Sequence, residues 1–335
     1  MAAADGSHGV VWPGEGLARV PYDLYTDPGI YAAEQRQIFR GPVWNFLCLA
    51  AEIPAPGDYK TTFIGDTPII TVRDTDGTIN ALENRCAHRG AMVCYKQRGN
   101  PRMLTCAYHA WVYDLKGRLR SVAFEKGINS QGGMPDGFAK SAHGLKRLRV
   151  AEFAGLVFAS FSETAPAIET YLGPEIAARV CRVLPRPIKV MGYNRQLLPN
   201  NWKLYVENNK DSYHAGLLHT FFTTFRLNRL SQKGGIIVDA SGGHHVSYSI
   251  MASEQTDRAY EDAAIRSAKQ DYRLADPSLV AGRDEFGDGI SLQILSIFPA
   301  FVMQQVQNSL AVRQILPKGV DRTELVWTYY GFADD

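Results

Sequence analysis

The sequence predicts an α+β protein of two domains behind an N-terminal arm: the arm at 1–43, a β-rich domain at 44–162 and an α+β domain at 163–335. Three observations predict it. A length of 335 residues accommodates two cores. Between Trp44 and residue 162, short β-branched or alternating runs are separated by Gly- and Pro-containing turn signals. Beyond 163 the apolar period lengthens to that of helices and then returns to that of strands. That order suits a long helix lying on a twisted antiparallel sheet, with a cavity between the layers.

In chain order, residues 1–20 are Gly/Pro-rich and read as extended, and Ile30 to Arg40 as a short helix packing on the second domain, with Tyr31 and Ile38, then Ala32 and Phe39, recurring at i, i+7. Tyr59–Phe63, Pro68–Arg73 and Ile79–Asn84 read as strands, broken by turns at Pro56-Gly57, Gly65-Asp66 and Asp76-Gly77. Leu148–Ala151 and Gly155–Phe161 close the β-rich domain, and Ser162–Pro166 is a linker. Leu172–Leu184 reads as a helix and Ile188–Leu198 as a strand; Pro199-Asn-Asn-Trp202 then opens a helical pattern running past His219, and a charged helix is expected over 255–273. The end is a meander, Ile290–Ile297, Phe301–Gln307, Leu310–Leu316 and Glu324–Phe332, with turns at Asn308-Ser309 and Lys318-Gly319.

A hydrophobic content of 45% and a charged content of 21% describe an ordinary globular chain. The formal charge of +2, without any Lys/Arg run, gives no footing for nucleic acid. No 18-residue apolar run and no secretory leader are found, so the chain is expected to be cytoplasmic, with no membrane partner. The five cysteines (48, 86, 94, 106, 181) do not form a disulfide framework; 48, 94 and 181 are expected as buried free thiols.

The remaining two cysteines carry the chemistry. Cys86-Ala-His88 is followed, after a gap of 17 residues, by Cys106-Ala-Tyr-His109. These half-sites, C-x-H and C-x-x-H, read as one metal site split over two loops. In a Rieske [2Fe–2S] centre two thiolates hold one iron and two imidazoles the other, which raises the potential to roughly −150 to +300 mV. A structural zinc site is the competing reading, since zinc also takes mixed Cys/His sets, although a one-residue C-x-H pair is unusual for it. Leu104, Cys106 and Tyr108 alternate into a turn at Lys116-Gly117, which suits two loops carried on short strands.

A second metal is suggested by the run from Glu207 to His219, where Asp211, His214 and His219 supply two imidazoles and a carboxylate. Non-haem Fe(II) oxygenases hold iron in a 2-His-1-carboxylate set that leaves open positions. Asp211 and His214 are three apart and share a helix face. His214 and His219 are five apart, about 140° around a regular helix, so a π-bulge at Gly216 is expected to bring them together. Ordinary core or capping histidines are the competing reading.

Cys86-Ala-His88-Arg89-Gly90 with Cys106-Ala-Tyr-His109-Ala-Trp111, and the run Glu207–His219, resemble the large (alpha) subunits of Rieske non-haem iron aromatic-ring-hydroxylating oxygenases, over nearly the whole chain from Trp12 to Asp335. The resemblance implies an N-terminal Rieske [2Fe–2S] domain and a helix-grip catalytic domain. It implies a cluster held by Cys86, His88, Cys106 and His109, and a mononuclear Fe(II) held by His214 and His219. Asp211 becomes a catalytic bridge between an iron-ligating His and a cluster-ligating His of the neighbouring subunit, orienting the imidazole and shortening the electron path. The third iron ligand is implied in a later motif, beyond residue 335, so the sequence is expected to be truncated and its iron site one carboxylate short. The implied partners are O2, a separate NADH-dependent reductase and a small beta subunit, in a homotrimer or α3β3 assembly. No G-x-G-x-x-G fingerprint is present, in keeping with a reductase on another chain.

Within the family the likeness is to large subunits acting on aromatic carboxylates. The terephthalate-oxidising kind comes first, through Val122–Gly127, Gln131–Pro135, Leu230–Gly235 and Gly242–Tyr248, and the salicylate- and anthranilate-oxidising kinds next. A carboxylate asks for a guanidinium. Arg313, a charge in the apolar run Leu310–Leu316, is the candidate clamp, against the reading of an edge arginine reaching solvent. His244 and His245, in a strand, point to opposite faces, so one is core or cavity lining. Two rivals of other classes are a plain Rieske electron carrier and a non-catalytic ligand-binding protein.

Overall fold

A computed structural model describes residues 10–14, 19–129, 131–251, 253, 258, 262–269 and 271–335. The chain forms two compact units, Gln35–Ile168 and a second made of Met1–Glu34 with Glu169–Asp335. Among the described residues no helix is long and apolar enough to cross a membrane.

Unit Gln35–Ile168 opens on a single π-helical turn, Gln35–Phe39. Its strands are β1 (Asn45–Leu49), β2 (Tyr59–Ile64), β3 (Thr67–Arg73), β4 (Ile79–Glu83), β5 (Arg98–Gly99), β6 (Leu104–Thr105), β7 (Val112–Tyr113), β8 (Leu119–Ser121), β9 (Arg147–Phe153) and β10 (Leu156–Ser160). They form a seven-stranded sheet in the order β1-β10-β9-β4-β3-β2-β5 and a three-stranded sheet β6-β7-β8. The alternation from Leu104 does not run on as a strand to Tyr108; β6 stops at Thr105 and a turn takes over. Ile70, Val72, Leu82, Leu104 and Tyr113 form one buried core that also takes in Cys86 and Cys106. The metal loops are therefore anchored at their cysteines by apolar burial.

The other unit opens on α1 (Asp23–Thr26) and α2 (Pro28–Glu34), and continues with α3 (Ile168–Val183), whose first residue lies across the unit boundary, β11 (Ile188–Leu198), α4 (Trp202–Lys210), α5 (Ser212–Leu218) and α6 (Thr220–Thr224). The strands β12 (Gly234–Val238), β13 (His245–Ile250), β14 (Ile290–Ile297), β15 (Phe301–Val306), β16 (Ser309–Pro317) and β17 (Thr323–Phe332) complete it. Its seven strands form an antiparallel sheet in the order β11-β17-β16-β15-β14-β13-β12. The expected four-strand meander is its centre, and β12 and β13 extend one side. The charged helix expected over 255–273 falls in large part outside the described residues, and the described residues 263–269 are turns and irregular backbone.

Two layers cover this sheet. The helix α3 buries Leu172, Ile176, Val180 and Val183, spaced four, four and three apart. It is tied to the sheet by Arg182 Nη1 donating to Gln305 Oε1 at 2.6 Å and Gln293 Nε2 donating to the Arg179 carbonyl at 3.2 Å. It bends at Gly173 (φ 68°) just before Pro174. Cys181 lies exposed on this helix, not buried as expected, whereas Cys48 and Cys94 are buried.

On the opposite face lie α4–α6. Asn201 caps α4 by accepting from Lys203 N–H, and Trp202 Nε1 donates to Glu34 at 2.8 Å, which pins α4 to α2. Tyr25 OH adds a 2.6 Å hydrogen bond to Glu207.

Candidate metal centres

The two Cys/His loops are built alike. In the first, Gly90 N–H donates to the Cys86 carbonyl and Cys86 N–H to the Ala91 carbonyl, both at 2.8 Å. In the second, Ala110 N–H donates to the Cys106 carbonyl at 3.0 Å and Cys106 N–H to the Trp111 carbonyl at 2.9 Å. The fourth residue after each cysteine turns left-handed, Gly90 at φ 72° and Ala110 at φ 52°. Glycine takes that turn without steric cost and alanine does not. Asn84, fully buried, braces the first loop by accepting from Val93 and Cys94 N–H and donating to the Cys94 carbonyl.

The structure brings the four donors together as two pairs. The Cys86 and Cys106 thiols are buried and interact directly. The His88 and His109 rings lie 4.6 Å apart between centroids, edge to face. His88 stacks on buried Trp111 at 4.9 Å, and its Nδ1 is buried with no hydrogen-bond partner among the described residues. Thiols lie inside and imidazoles outside, with His109 exposed. Tyr113 OH accepts from Ala87 N–H at 3.1 Å and lies 3.1 Å from Cys86 Sγ. Burial pushes the Cys86 thiol up, while the Tyr113 hydroxyl works the other way. Burial, the His109 ring and Arg89 hold His88 below the ordinary imidazole range. A two-iron cluster asks for two protein donors at each iron, and the orphaned His88 nitrogen beside a paired set of thiols fits that demand.

The iron helix expected as one distorted rod is three pieces. Asp211 ends α4 and caps α5, its Oδ1 accepting from Tyr213 N–H at 2.8 Å and His214 N–H at 3.3 Å. His219, at φ −82° and ψ 78°, separates α5 from α6. The π-bulge expected at Gly216 is not formed. Gly216 is buried where a Cβ would stand 2.5 Å from Leu230, so glycine serves close packing there. The break at His219 does the converging instead, placing the His214 and His219 rings 5.1 Å apart.

Asp211 Oδ2 lies 3.3 Å from His214 Nδ1, out of line for a hydrogen bond, and Asn208 Nδ2 lies 3.0 Å from His214 Nε2. Partial burial, the His214 ring and Arg313 hold His219 below the ordinary imidazole range, toward the neutral form that ligates metal. Among the described residues no three Cys, His, Asp or Glu side chains converge on one ion.

A cavity of about 590 Å³ lies against this pair, lined by His214 and His219 on one side and by Ile294, Gln304, Arg313 and Trp327 of the sheet on the other. Arg313 is not an edge arginine: β16 is flanked by β15 and β17, and the residue is 7% exposed. Its Nη1 donates to Tyr205 OH at 3.0 Å and Asn209 Oδ1 at 2.7 Å, and its Cζ stacks 4.0 Å over Trp327. Its Nε is buried without a partner among the described residues. Sequence reasoning missed Tyr205 and Asn209, whose signal was that they stand four apart on α4, the helix before the one that bears His214. His244 and His245 are both core and neither lines the cavity: Phe298 N–H donates to His244 Nδ1 at 3.1 Å and His244 Nε2 donates to the Tyr171 carbonyl at 2.8 Å.

Two family models match: a Rieske [2Fe-2S] domain over residues 43–131 and a ring hydroxylating alpha subunit catalytic domain over residues 178–335. The terephthalate 1,2-dioxygenase terminal oxygenase alpha 2 subunit of Comamonas sp is 60% identical over 97% of this chain and 79% of its own length. This chain belongs to the Rieske ring-hydroxylating oxygenase alpha subunits. Two other alpha-type subunits are further off: the anthranilate 1,2-dioxygenase large subunit of Burkholderia cepacia at 44% over 100% of this chain and 79% of its own, and the salicylate 5-hydroxylase large component of Ralstonia sp at 42% over 97% and 78%. Naphthalene 1,2-dioxygenase from Rhodococcus sp., crystallised with indole, superposes with a TM-score of 0.76 at 25% identity over 96% of this chain and 74% of that one. The alpha-subunit match disposes of the zinc reading, through the Rieske domain, and of the plain electron carrier, through the catalytic one. The family's cofactors are the Rieske cluster and a mononuclear iron.

Proposed function

We propose that this protein is the large subunit of the oxygenase component of a dioxygenase that converts an aromatic carboxylate, terephthalate first, to a cis-dihydrodiol. One observation carries the acid-substrate reading: a buried arginine whose Nε has no partner among the described residues lines the same cavity as His214 and His219. Tyr205 and Asn209 hold Nη1, and Trp327 lies under the guanidinium plane. The Nε–Nη2 edge is left for a ligand, and that edge matches the two oxygens of a carboxylate. The 60% identity to the Comamonas subunit supports terephthalate among such acids.

Cys86 and Cys106 would hold one iron of the cluster, His88 and His109 the other, and His214 and His219 the mononuclear iron. Bound, these groups supply single-electron transfer and dioxygen activation. The chain's own residues do the rest. Arg313 fixes the acid so that the ring lies toward the His214–His219 wall, and Ile294, Leu292 and Val306 keep water from it. Asp211 orients His214 and bridges toward a cluster-ligating imidazole of a neighbouring subunit. A separate NADH-dependent reductase and a small beta subunit complete the system, as the family resemblance suggests.

Turnover of the holoenzyme with its reductase on terephthalate, salicylate and anthranilate, with product identification, tests the substrate. A dihydrodiol from terephthalate is expected; turnover confined to either of the others would reassign it. Arg313→Ala should raise KM for the acid by about 10- to 100-fold, the range of a hydrogen bond to a charged group. A methyl ester should be much less affected, and equal effects on acid and ester would reject the clamp.

A further inference from the structure

We propose that Gln304 donates a further hydrogen bond to the substrate carboxylate, beside the two from Arg313; this deepens, and rests on, the acid-substrate reading above. Gln304 faces the cavity from β15 and is half-buried. It pairs across the sheet with Ile294 and Ala311, and its same-face neighbours along the strand are Val302 and Val306. Four apolar side chains thus surround a primary amide that makes no hydrogen bond among the described residues. An amide carries two donors and an acceptor oxygen, and here they face the cavity unspent on the described residues, free to meet a ligand.

Its diagonal neighbour on that face is Arg313, which pairs with Val302. Diagonal side chains on an antiparallel sheet start about 7–8 Å apart or less, within reach of one shared group for two long arms. A carboxylate on the Nε–Nη2 edge of Arg313 spends one lone pair of each oxygen there and keeps the others. Asn209 accepts from Arg313 and donates to the Tyr205 carbonyl. Tyr205 OH accepts from Nη1 of Arg313 and so lies on the side of the guanidinium away from the Nε–Nη2 edge. Ser247 stands on the far side of Ile294. Gln304 Nε2, on the diagonal neighbour of Arg313, is the donor placed for the remaining lone pair, and it makes Gln304 specific for the acid group itself rather than for the ring.

Binding to the holoenzyme without reductant, by equilibrium dialysis of benzoate, terephthalate and methyl benzoate, tests this apart from turnover. Gln304→Leu should weaken both acids about tenfold and the ester less than about twofold. Gln304→Glu, close in shape but anionic, should weaken the acids further still and leave the ester bound, which also reports that the cavity is intact. If Gln304→Leu leaves the acids unchanged, or weakens the ester as much, while Arg313→Ala still separates acid from ester, Gln304 has no such role and the clamp stands. If Arg313→Ala does not separate them either, both ideas fall together.

Discussion

A hydroxyl that already accepts a hydrogen bond on its oxygen has its proton left to give. Tyr113 OH accepts from Ala87 N–H, and the next atom in reach is Cys86 Sγ at 3.1 Å. A thiolate in a cluster has no proton, so the donor there must be Tyr113. Hydrogen bonds to cluster sulfurs stabilise the reduced, more negative state and raise the potential. Tyr113→Phe should therefore lower the Rieske potential by on the order of 50 mV, close to a tenfold change for one electron, read by redox titration of the cluster's spin-resonance signal. An unaltered potential with an unaltered line shape would show that the tyrosine spends its proton elsewhere. The four Cys and His of the loops were legible because each loop closes on bonds between near neighbours in sequence. Tyr113 was not, because its partner stands 27 positions away. Arg313 was legible as a misplaced charge, but the residues that hold it lie more than a hundred positions off.

At the scale of elements the instructive case is the broken helix. A regular helix separates positions five apart, and the sequence reading solved that with a bulge at Gly216. The structure solves it by stopping the helix at His219 and restarting it there, while Asp211 makes an earlier break by offering its neighbours' N–H groups a side-chain acceptor. A short polar side chain that competes with the helix ladder was visible in the sequence; the outcome of that competition was settled by packing, with Gly216 pressed against Leu230. The cap that Asp211 forms and the electron bridge proposed for it separate by substitution. Asp211→Ala removes the cap and should cost about 1 kcal/mol of stability as well as turnover. Asp211→Asn keeps an acceptor oxygen, so thermal unfolding should stay near wild type while turnover with the reductase falls. Wild-type turnover in Asp211→Asn would mean that the carboxylate is dispensable to electron delivery, and equal destabilisation by Asn and Ala would mean that it is no cap.

Over the whole molecule, the two-unit α+β plan and the central meander followed from period and turn chemistry alone. The edge strand β12 and its neighbour β13 did not, because Gly234-Gly235 and the polar Ser247 and Ser249 dilute their alternation. What they carry bears on how the protein meets acid. His244 and His245 sit at the start of β13, both buried, and burial is the main cause that lowers the affinity of each for a proton. Asp239 opposes that at His244, whereas Lys210 adds to it at both. The hydrogen bonds at His244 require the neutral ring, with Nδ1 accepting from Phe298 and Nε2 donating to Tyr171. The unfolded chain binds these protons near the ordinary imidazole value of about 6.5, and the folded chain only below it. Stability is therefore full above that value and is lost as pH falls from it toward the folded-state values. Urea unfolding at pH 7.5 and at pH 5.5 should show this loss in the wild type. In His244→Gln, which keeps the donor to Tyr171 but cannot take up a proton, the difference between the two pH values should shrink. An identical difference in both proteins would take His244 out of the account and leave the acid sensitivity to His245 and the other titrating groups.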